Sequence, residues 1–297
     1  MYILGFDIGG TKCAVVTAEW DEREVKLLKK EKCDTDLSIS PEKMLDKLVA
    51  MADNILDKKP DAIGISCGGP LDSEKGIILG PPNLPGWDYV EIVKKLESYY
   101  QVPVKLQNDA NACAVAEWKF GAGKGYKNVV FMTFGTGLGA GLILDGKLYS
   151  GTNGNAGEVG HIRLAPDGPV GFGKKGSFEG FCSGGGIAQL GRMMLNEDIT
   201  AKEIAERALS DDEKAIEVYR TSGMYLGKGL SVIIDILNPE VVVIGSIFAR
   251  NKDLLWKYAK EEIEKEALSE SAGCCKVVGA ELGENIGDFA AVATALL

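Results

Sequence analysis

Residues 2–18 read Y-I-L-G-F-D-I-G-G-T-K-C-A-V-V-T-A, and residues 128–144 read N-V-V-F-M-T-F-G-T-G-L-G-A-G-L-I-L. In each stretch a run of β-branched and aromatic residues enters a polar, glycine-rich turn and leaves it as a second apolar run, which is the pattern of two antiparallel strands. The spacing predicts strands at 2–7 and 13–18, with a third at 24–30 beyond the turn Asp21-Glu22. It predicts another set at 128–134, 139–144 and 147–149, the last two joined by Asp145-Gly146, a strong hairpin dipeptide. One device used twice, at the start of each half of the chain, points to a duplicated fold.

Around these meanders helix and strand signals alternate. Ser40 followed by Pro41 is an N-cap with proline at the first helical position, opening a helix whose apolar face is Met44, Leu45, Leu48, Met51, Ala52 and Ile55 and which stops before Pro60. Short buried strands are predicted at 62–66, 102–107 and 241–244. Helices are predicted at 90–99, from about Asp109, and at 184–195, 201–208, 212–236, 252–266 and 287–296. A chain of 297 residues is long for one core and suits two lobes with a cleft, where small molecules bind.

Composition narrows the function classes. Thirty-three Lys and Arg against 43 Asp and Glu leave a net charge of −10, which repels a phosphate backbone and argues against nucleic acid as a partner. No window approaches the roughly 20 apolar residues that cross a bilayer, so no membrane association is expected. Met1 runs directly into the first strand without a basic leader, so a cytoplasmic location is expected. The seven cysteines contain no C-x-x-C pair and suggest neither a disulfide framework nor a thiolate metal site. With His161 the single histidine, chemistry must rest on carboxylates, glycines and lysines.

Two constellations carry chemistry. The glycine turns, Asp7, Gly9, Gly10, Thr11 and Lys12 in the first and Thr133, Gly135, Thr136 and Gly137 in the second, can aim backbone amides and hydroxyls at phosphate oxygens. Either turn alone reads equally well as an ordinary hairpin, and Lys12 as a solvated edge residue. Gly135-x-Gly137-x-x-Ala140 matches the dinucleotide fingerprint only in form, because a strand and not a helix follows it. Gly168-x-x-x-x-Gly173-Lys174 fails as a Walker loop because Lys175 replaces the hydroxyl residue. The second constellation is Asn83, Asn108 with Asp109, Glu158 with His161, and Glu179 ahead of Ser183, a density of carboxylates and amides that suits a polyhydroxylated ligand. Asp109 and Ser183 read equally well as helix N-caps, His161 as a structural histidine, and the glutamates as surface charges.

With those residues in place the chain resembles the ROK family of sugar kinases and related repressors, within the sugar kinase/Hsp70/actin superfamily. D-I-G-G-T-K at 7–12 and T-F-G-T-G-L-G-A-G at 133–141 resemble the two phosphate motifs, and V-V-V-I-G-S at 241–246, with Gly245, the adenosine strand and turn. N-D-A-N at 108–111, G-E-V-G-H at 157–161 and E-G-F-C-S-G at 179–184 resemble the sugar-binding and catalytic segments, and the similarity extends to G-D-F-A-A-V-A at 287–293. The resemblance implies an α/β fold of two actin-like (ribonuclease H-like) lobes, with mixed sheets flanked by helices and an interlobe cleft. The first lobe is expected over residues 1–115, joined by the C-terminal helix at 284–297, and the second over 116–283.

The resemblance further implies ATP and Mg²⁺ as cofactors. It makes Asp109 the general base for a sugar hydroxyl attacking the γ-phosphate, and assigns Asn83, Asn108, Glu158, His161 and Glu179 to the sugar. Lobe closure is expected to exclude water, a competing acceptor. P-N-L-P-G-W at 82–87 is most similar to the glucose-phosphorylating branch. Kinases of N-acetylmannosamine, N-acetylglucosamine, allose or fructose use the same frame, as does a sugar-sensing regulator without turnover. The family's repressors carry a DNA-binding segment before the first motif, which Asp7 follows too closely from Met1 to allow here. A homodimer or homotetramer is implied. Family members bind a structural zinc through the G-H histidine and three cysteines. Those cysteine positions here are Val170, Phe172 and Ser177, so no structural zinc is expected.

Overall fold

The computed structural model describes residues 1–297 as two compact units, one of Met1–Lys124, Ser150–Asn155 and Leu282–Leu297, the other of Gly125–Tyr149 and Ala156–Glu281. The expected boundary at 115/116 falls inside a helix that continues to Phe120. That helix is held along its length by the buried residues Ala112, Ala114, Val115, Ala116 and Glu117.

The first unit is built on β1 (Tyr2–Ile8), β2 (Lys12–Trp20), β3 (Val25–Asp34), α1 (Pro41–Ile55), β4 (Ala62–Cys67), the short pair β5 (Leu71–Asp72) and β6 (Ile77–Ile78), α2 (Ile92–Tyr100), β7 (Val104–Asn108) and α3 (Asp109–Phe120). Its main sheet has the order β3-β2-β1-β4-β7, antiparallel through the meander and parallel from β1 onward. Alternation sorts β1 between two faces: Leu4, Phe6 and Ile8 join a core with α1 and α2, while Ile3 packs on the opposite side. Burial on both faces explains why β1 reads as an unbroken apolar run.

The second unit follows with β8 (Val129–Met132), β9 (Ala140–Leu144), β10 (Lys147–Tyr149), β11 (Val170–Gly171), β12 (Lys174–Lys175), α4 (Phe178–Phe181), α5 (Gly184–Leu195), α6 (Ala201–Ala208), α7 (Glu213–Leu237), β13 (Val241–Ile244), α8 (Ser246–Arg250), α9 (Lys252–Glu266), α10 (Ser269–Cys274) and β14 (Lys276–Gly279). Its sheet order, β10-β9-β8-β13-β14, repeats the first unit's pattern strand for strand, including the change from antiparallel to parallel. The duplication suggested by the two glycine turns is therefore a duplication of sheet topology. Asp145 and Gly146 turn the β9–β10 hairpin with φ of 55° and 72°, the doubly positive backbone that an Asp-Gly turn favours. The fifth strand, β14, and the short α8 and α10 have no sequence prediction, because β14 offers only Val277 and Val278 and none of its residues is fully buried.

The last helix, α11 (Ile286–Thr294), returns to the first unit. Gly5 and Gly64 are register partners on the parallel strands β1 and β4, and there α11 lies on the sheet. A Cβ on Gly5 would stand 3.0 Å from Ala291 Cβ, and one on Gly64 would collide with the Ala291 carbonyl. Two glycines side by side thus form a shallow seat for α11 at Ala291, which is fully buried. No helix is long and apolar enough to cross a membrane.

Candidate active site

In the first unit β7 delivers Asn108 and Asp109 directly to the start of α3. Asn108 is the N-cap, its Oδ1 accepting the N–H of Ala110 at 3.0 Å, and Asp109 Oδ1 accepts the same N–H at 2.8 Å. The capping reading offered for Asp109 thus belongs to Asn108, and Asp109 is the first helical residue. A carboxylate is a favourable residue at the start of a helix. Gln107 fixes the junction: its Oε1 accepts the Asn108 N–H at 2.8 Å and Asn111 Nδ2 at 3.2 Å.

Asn83 reaches the same neighbourhood. Gly68 and Gly69, which follow β4, lie against the Asn83 and Asn108 amides, since a Cβ at these glycines would come within 3.4 Å of Asn83 Oδ1 and 3.1 Å of Asn108 Nδ2. Gly10 backs onto Asn83 so closely that a Cβ would overlap its carbonyl. The first glycine turn, Asn83 and Asn108 therefore form one cluster, with Gly68 and Gly69 as members. The Gly-Gly-Pro run at 68–70, immediately beyond a buried strand, is the signal that would have exposed them.

The first turn is itself well held. Gly9 N–H donates to Lys12 O at 3.1 Å, Thr35 Oγ1 donates to Gly9 O at 2.6 Å, and Thr11 and Lys12 remain exposed. Asp7, at the end of β1, has its carboxyl pushed up to about 6, first by burial and then by the charges of Asp288 and Asp109, with Lys30 opposing. Asp288 is itself paired with Lys30 at 2.6 Å. Three carboxylates sharing one region create a strongly negative spot that a cation, or a proton, relieves. Neither Asp288 nor Lys30 stands out in the sequence, because each is brought there from a distant strand or helix.

The second unit assembles the other half of the predicted residues. Thr133 pins its glycine turn from within: Thr133 N–H and Oγ1 engage Gly139 O at 2.9 and 3.3 Å, and Gly139 N–H donates back to Oγ1 at 2.9 Å. Gly135 N–H bonds Gly137 O at 3.1 Å, and Gly135 O accepts Gly184 N–H at 2.8 Å at the start of α5. Gly245 caps α8, and Ser246 beside it, with φ of 53°, brings its hydroxyl 3.6 Å from where a Cβ on Gly135 would lie. Thr136 and Gly137 lie in the same turn.

Glu179, on α4, accepts the Leu138 N–H at 2.9 Å, and Gly160 of G-E-V-G-H packs its α-carbon against Leu138 O and Glu179 Cβ. The segments carrying Glu158, His161 and Glu179 are thus joined to the second glycine turn. Ser183 is the N-cap of α5, its Oγ accepting Gly186 N–H at 3.0 Å.

A sequence profile described as the ROK family matches residues 3–296. This chain belongs to the ROK family. It is 33% identical to a glucokinase of Halalkalibacterium halodurans, over 96% of this chain and 92% of that protein. It is 34% identical to an N-acetylmannosamine kinase of Shigella flexneri, over 82% of each. The crystal structure of a ROK family glucokinase from Streptomyces griseus, in complex with glucose and AMPPNP, superimposes with a TM-score of 0.79 at 29% identity, covering 100% of this chain and 99% of that one.

The zinc that the ROK resemblance brings with it finds no donors here. Val170 and Phe172 offer no ligand atom, and Ser177 is a buried N-cap whose Oγ accepts Gly180 N–H at 3.1 Å and donates to Gly171 O at 3.4 Å. The residues do not fit a zinc ion. His161 instead meets Phe172 edge to face, with ring centroids 5.1 Å apart.

Proposed function

We propose that this ROK protein is an ATP- and Mg²⁺-dependent hexose kinase that converts glucose to glucose 6-phosphate. The observation that carries the proposal is the placement of Asp109. It is a carboxylate at the first position of α3, one residue from an N-capping asparagine and in the same cluster as Asn83 and the first glycine turn. Asp109 takes the proton of the attacking hydroxyl as that oxygen approaches the γ-phosphate. Asn83 and Asn108 of the first unit, and Glu158, His161 and Glu179 of the second, hold the sugar hydroxyls. Each is a side chain whose hydrogen bonds are directional and whose hydroxyl partners are numerous on a hexose.

The nucleotide falls to the two glycine turns: Asp7, Gly9, Gly10, Thr11 and Lys12 of the first unit, and Thr133, Gly135, Thr136 and Gly137, with Gly245, of the second. Mg²⁺ arrives with ATP, and the negative spot around Asp7 favours a cation there. The enzyme is proposed to be a cytoplasmic homo-oligomer without a nucleic-acid partner, the last in keeping with its charge of −10.

Similarity to an N-acetylmannosamine kinase favours a second substrate reading within the same chemistry. ADP release from MgATP, measured with glucose, mannose, N-acetylmannosamine, N-acetylglucosamine, fructose and allose in turn, decides between them. Glucose-stimulated turnover well above the sugar-free rate supports the proposal. Preference for an N-acetylated sugar replaces the substrate, and silence on every sugar removes the kinase assignment.

A further inference from the structure

The β11–β12 hairpin of the second unit turns on Phe172 and Gly173, both with positive φ, 43° and 76°. A two-residue turn of this kind suits glycine, asparagine or aspartate at its first position, and an aromatic residue there is strained. Burial does not account for it, because Phe172 is 75% exposed. The strained backbone instead stands the ring edge to face on His161.

Four further hydrogen bonds fix the hairpin. Lys174 Nζ donates to the His161 carbonyl at 2.6 Å. Gln189, on α5, accepts the Val170 N–H at 2.9 Å and donates to the Val170 carbonyl at 2.8 Å, taking both positions that a neighbouring strand would use. Arg163, two residues from His161, donates to the Lys175 carbonyl at 2.5 Å. One short hairpin therefore grips both the ring and the main chain of His161, on a turn that is otherwise exposed.

We propose that this hairpin is a clasp that fixes the His161 ring for a sugar hydroxyl, with Phe172, Lys174 and Gln189 as its positioning residues. The proposal rests on the reading of His161 as a sugar contact. An imidazole on an exposed turn rotates freely about two bonds, and a hydrogen bond to one hydroxyl is strong only when the ring is held in direction beforehand. The strain at Phe172 is the local cost of that restraint.

Because His161 is the single histidine, its ring gives one resolvable set of NMR signals in the full-length protein. Phe172→Leu is expected to displace those signals and to raise KM for glucose about 5- to 20-fold while kcat stays within about twofold. Phe172→Tyr restores both. Phe172→Gly relieves the positive φ, so it is expected to keep or raise the unfolding midpoint while raising KM as Phe172→Leu does. A merely structural phenylalanine would lose stability and leave the ring signals in place. Lys174→Met is expected to displace the ring signals in the same way. Unchanged ring signals and KM in Phe172→Leu and Phe172→Gly overturn the clasp. If the variants move the ring but glucose leaves the wild-type His161 signals untouched, the sugar role of His161 falls while the restraint itself stands.

Discussion

Glu179 Oε2 accepts the N–H of Leu138 at 2.9 Å, so a carboxylate assigned to the sugar is bonded to the backbone of the glycine turn assigned to phosphate. A Cβ on Gly137 would stand 2.8 Å from the same oxygen, which leaves the turn little room to relax. Glu179→Gln keeps an acceptor for that amide and Glu179→Ala does not. A hydrogen bond to a charged group contributes about 1.5–3 kcal/mol, or roughly tenfold or more in an equilibrium. Glu179→Gln should therefore raise KM for the sugar alone, whereas Glu179→Ala should raise KM for both sugar and ATP by about tenfold. Equal ATP KM values in the two variants would show that the bond does not position the turn.

Asp109→Asn separates the base from the helix start. Asn108 already caps α3, and asparagine at 109 retains an oxygen for the Ala110 amide, so folding should be unaffected. Loss of a general base lowers turnover by about 10² to 10⁴ with little change in sugar affinity. Normal turnover in the variant would remove Asp109 from the mechanism.

The glycine turns and N-D-A-N were legible because a backbone device requires particular residues at fixed spacing, and such a requirement survives in a linear sequence. Apolar runs bounded by turn residues similarly disclosed β1 and β9, the Asp-Gly dipeptide the hairpin to β10, and helical spacing the apolar face of α1. What escaped depends on tertiary placement. Asp288 and Lys30 lie 258 residues apart, and nothing local marks either as a neighbour of Asp7. Gln189 looks like an ordinary helix-surface residue until the hairpin folds against α5. The seat for α11 was hidden for the same reason, since Gly5 and Gly64 acquire meaning only when their strands pair in register.

That seat is testable. Gly64→Ala places a methyl against the backbone of Ala291 and Ala295, which cannot swing aside as a side-chain tip would. Overpacking of this kind costs about 1–3 kcal/mol. The control is Gly273→Ala, in α10, where a Cβ meets nothing within 4 Å and alanine favours the helix. Urea midpoints should fall for the first and hold or rise for the second. A Gly64→Ala midpoint equal to wild type would mean that α11 is not seated on these strands.

Asp7 links stability to pH. Its folded carboxyl titrates near 6 against an unfolded value of 3.8, so between these values the native state holds a proton that the unfolded state has released. Stability therefore falls as pH rises from about 4 to 6 and stays lowered above that. One pKa unit is 1.36 kcal/mol, so a rise of about two units costs about 2–3 kcal/mol at pH 7.5. Asp7→Asn, measured without nucleotide, should be more stable than wild type by about that amount at pH 7.5 and by about half as much at pH 5. It should also lose phosphoryl transfer. A stability difference that is zero at both pH values would exclude a perturbed Asp7.

Metal removal tests the segment around His161. Val170, Phe172 and Ser177 supply no thiolate where the family's zinc ligands stand. A structural zinc contributes folding free energy directly, so its removal from a site that held one would lower stability sharply. Here the protein stripped with a strong chelator and returned to Mg²⁺ should recover full turnover. Its unfolding midpoint should shift by less than about 1 °C, far below the several degrees that a few kcal/mol represent. Elemental analysis of the purified chain should find no stoichiometric zinc. One zinc per chain, or a midpoint that drops on chelation and returns with zinc but not with Mg²⁺, would require donors other than the positions at 170, 172 and 177, and would give the restraint of His161 to the metal.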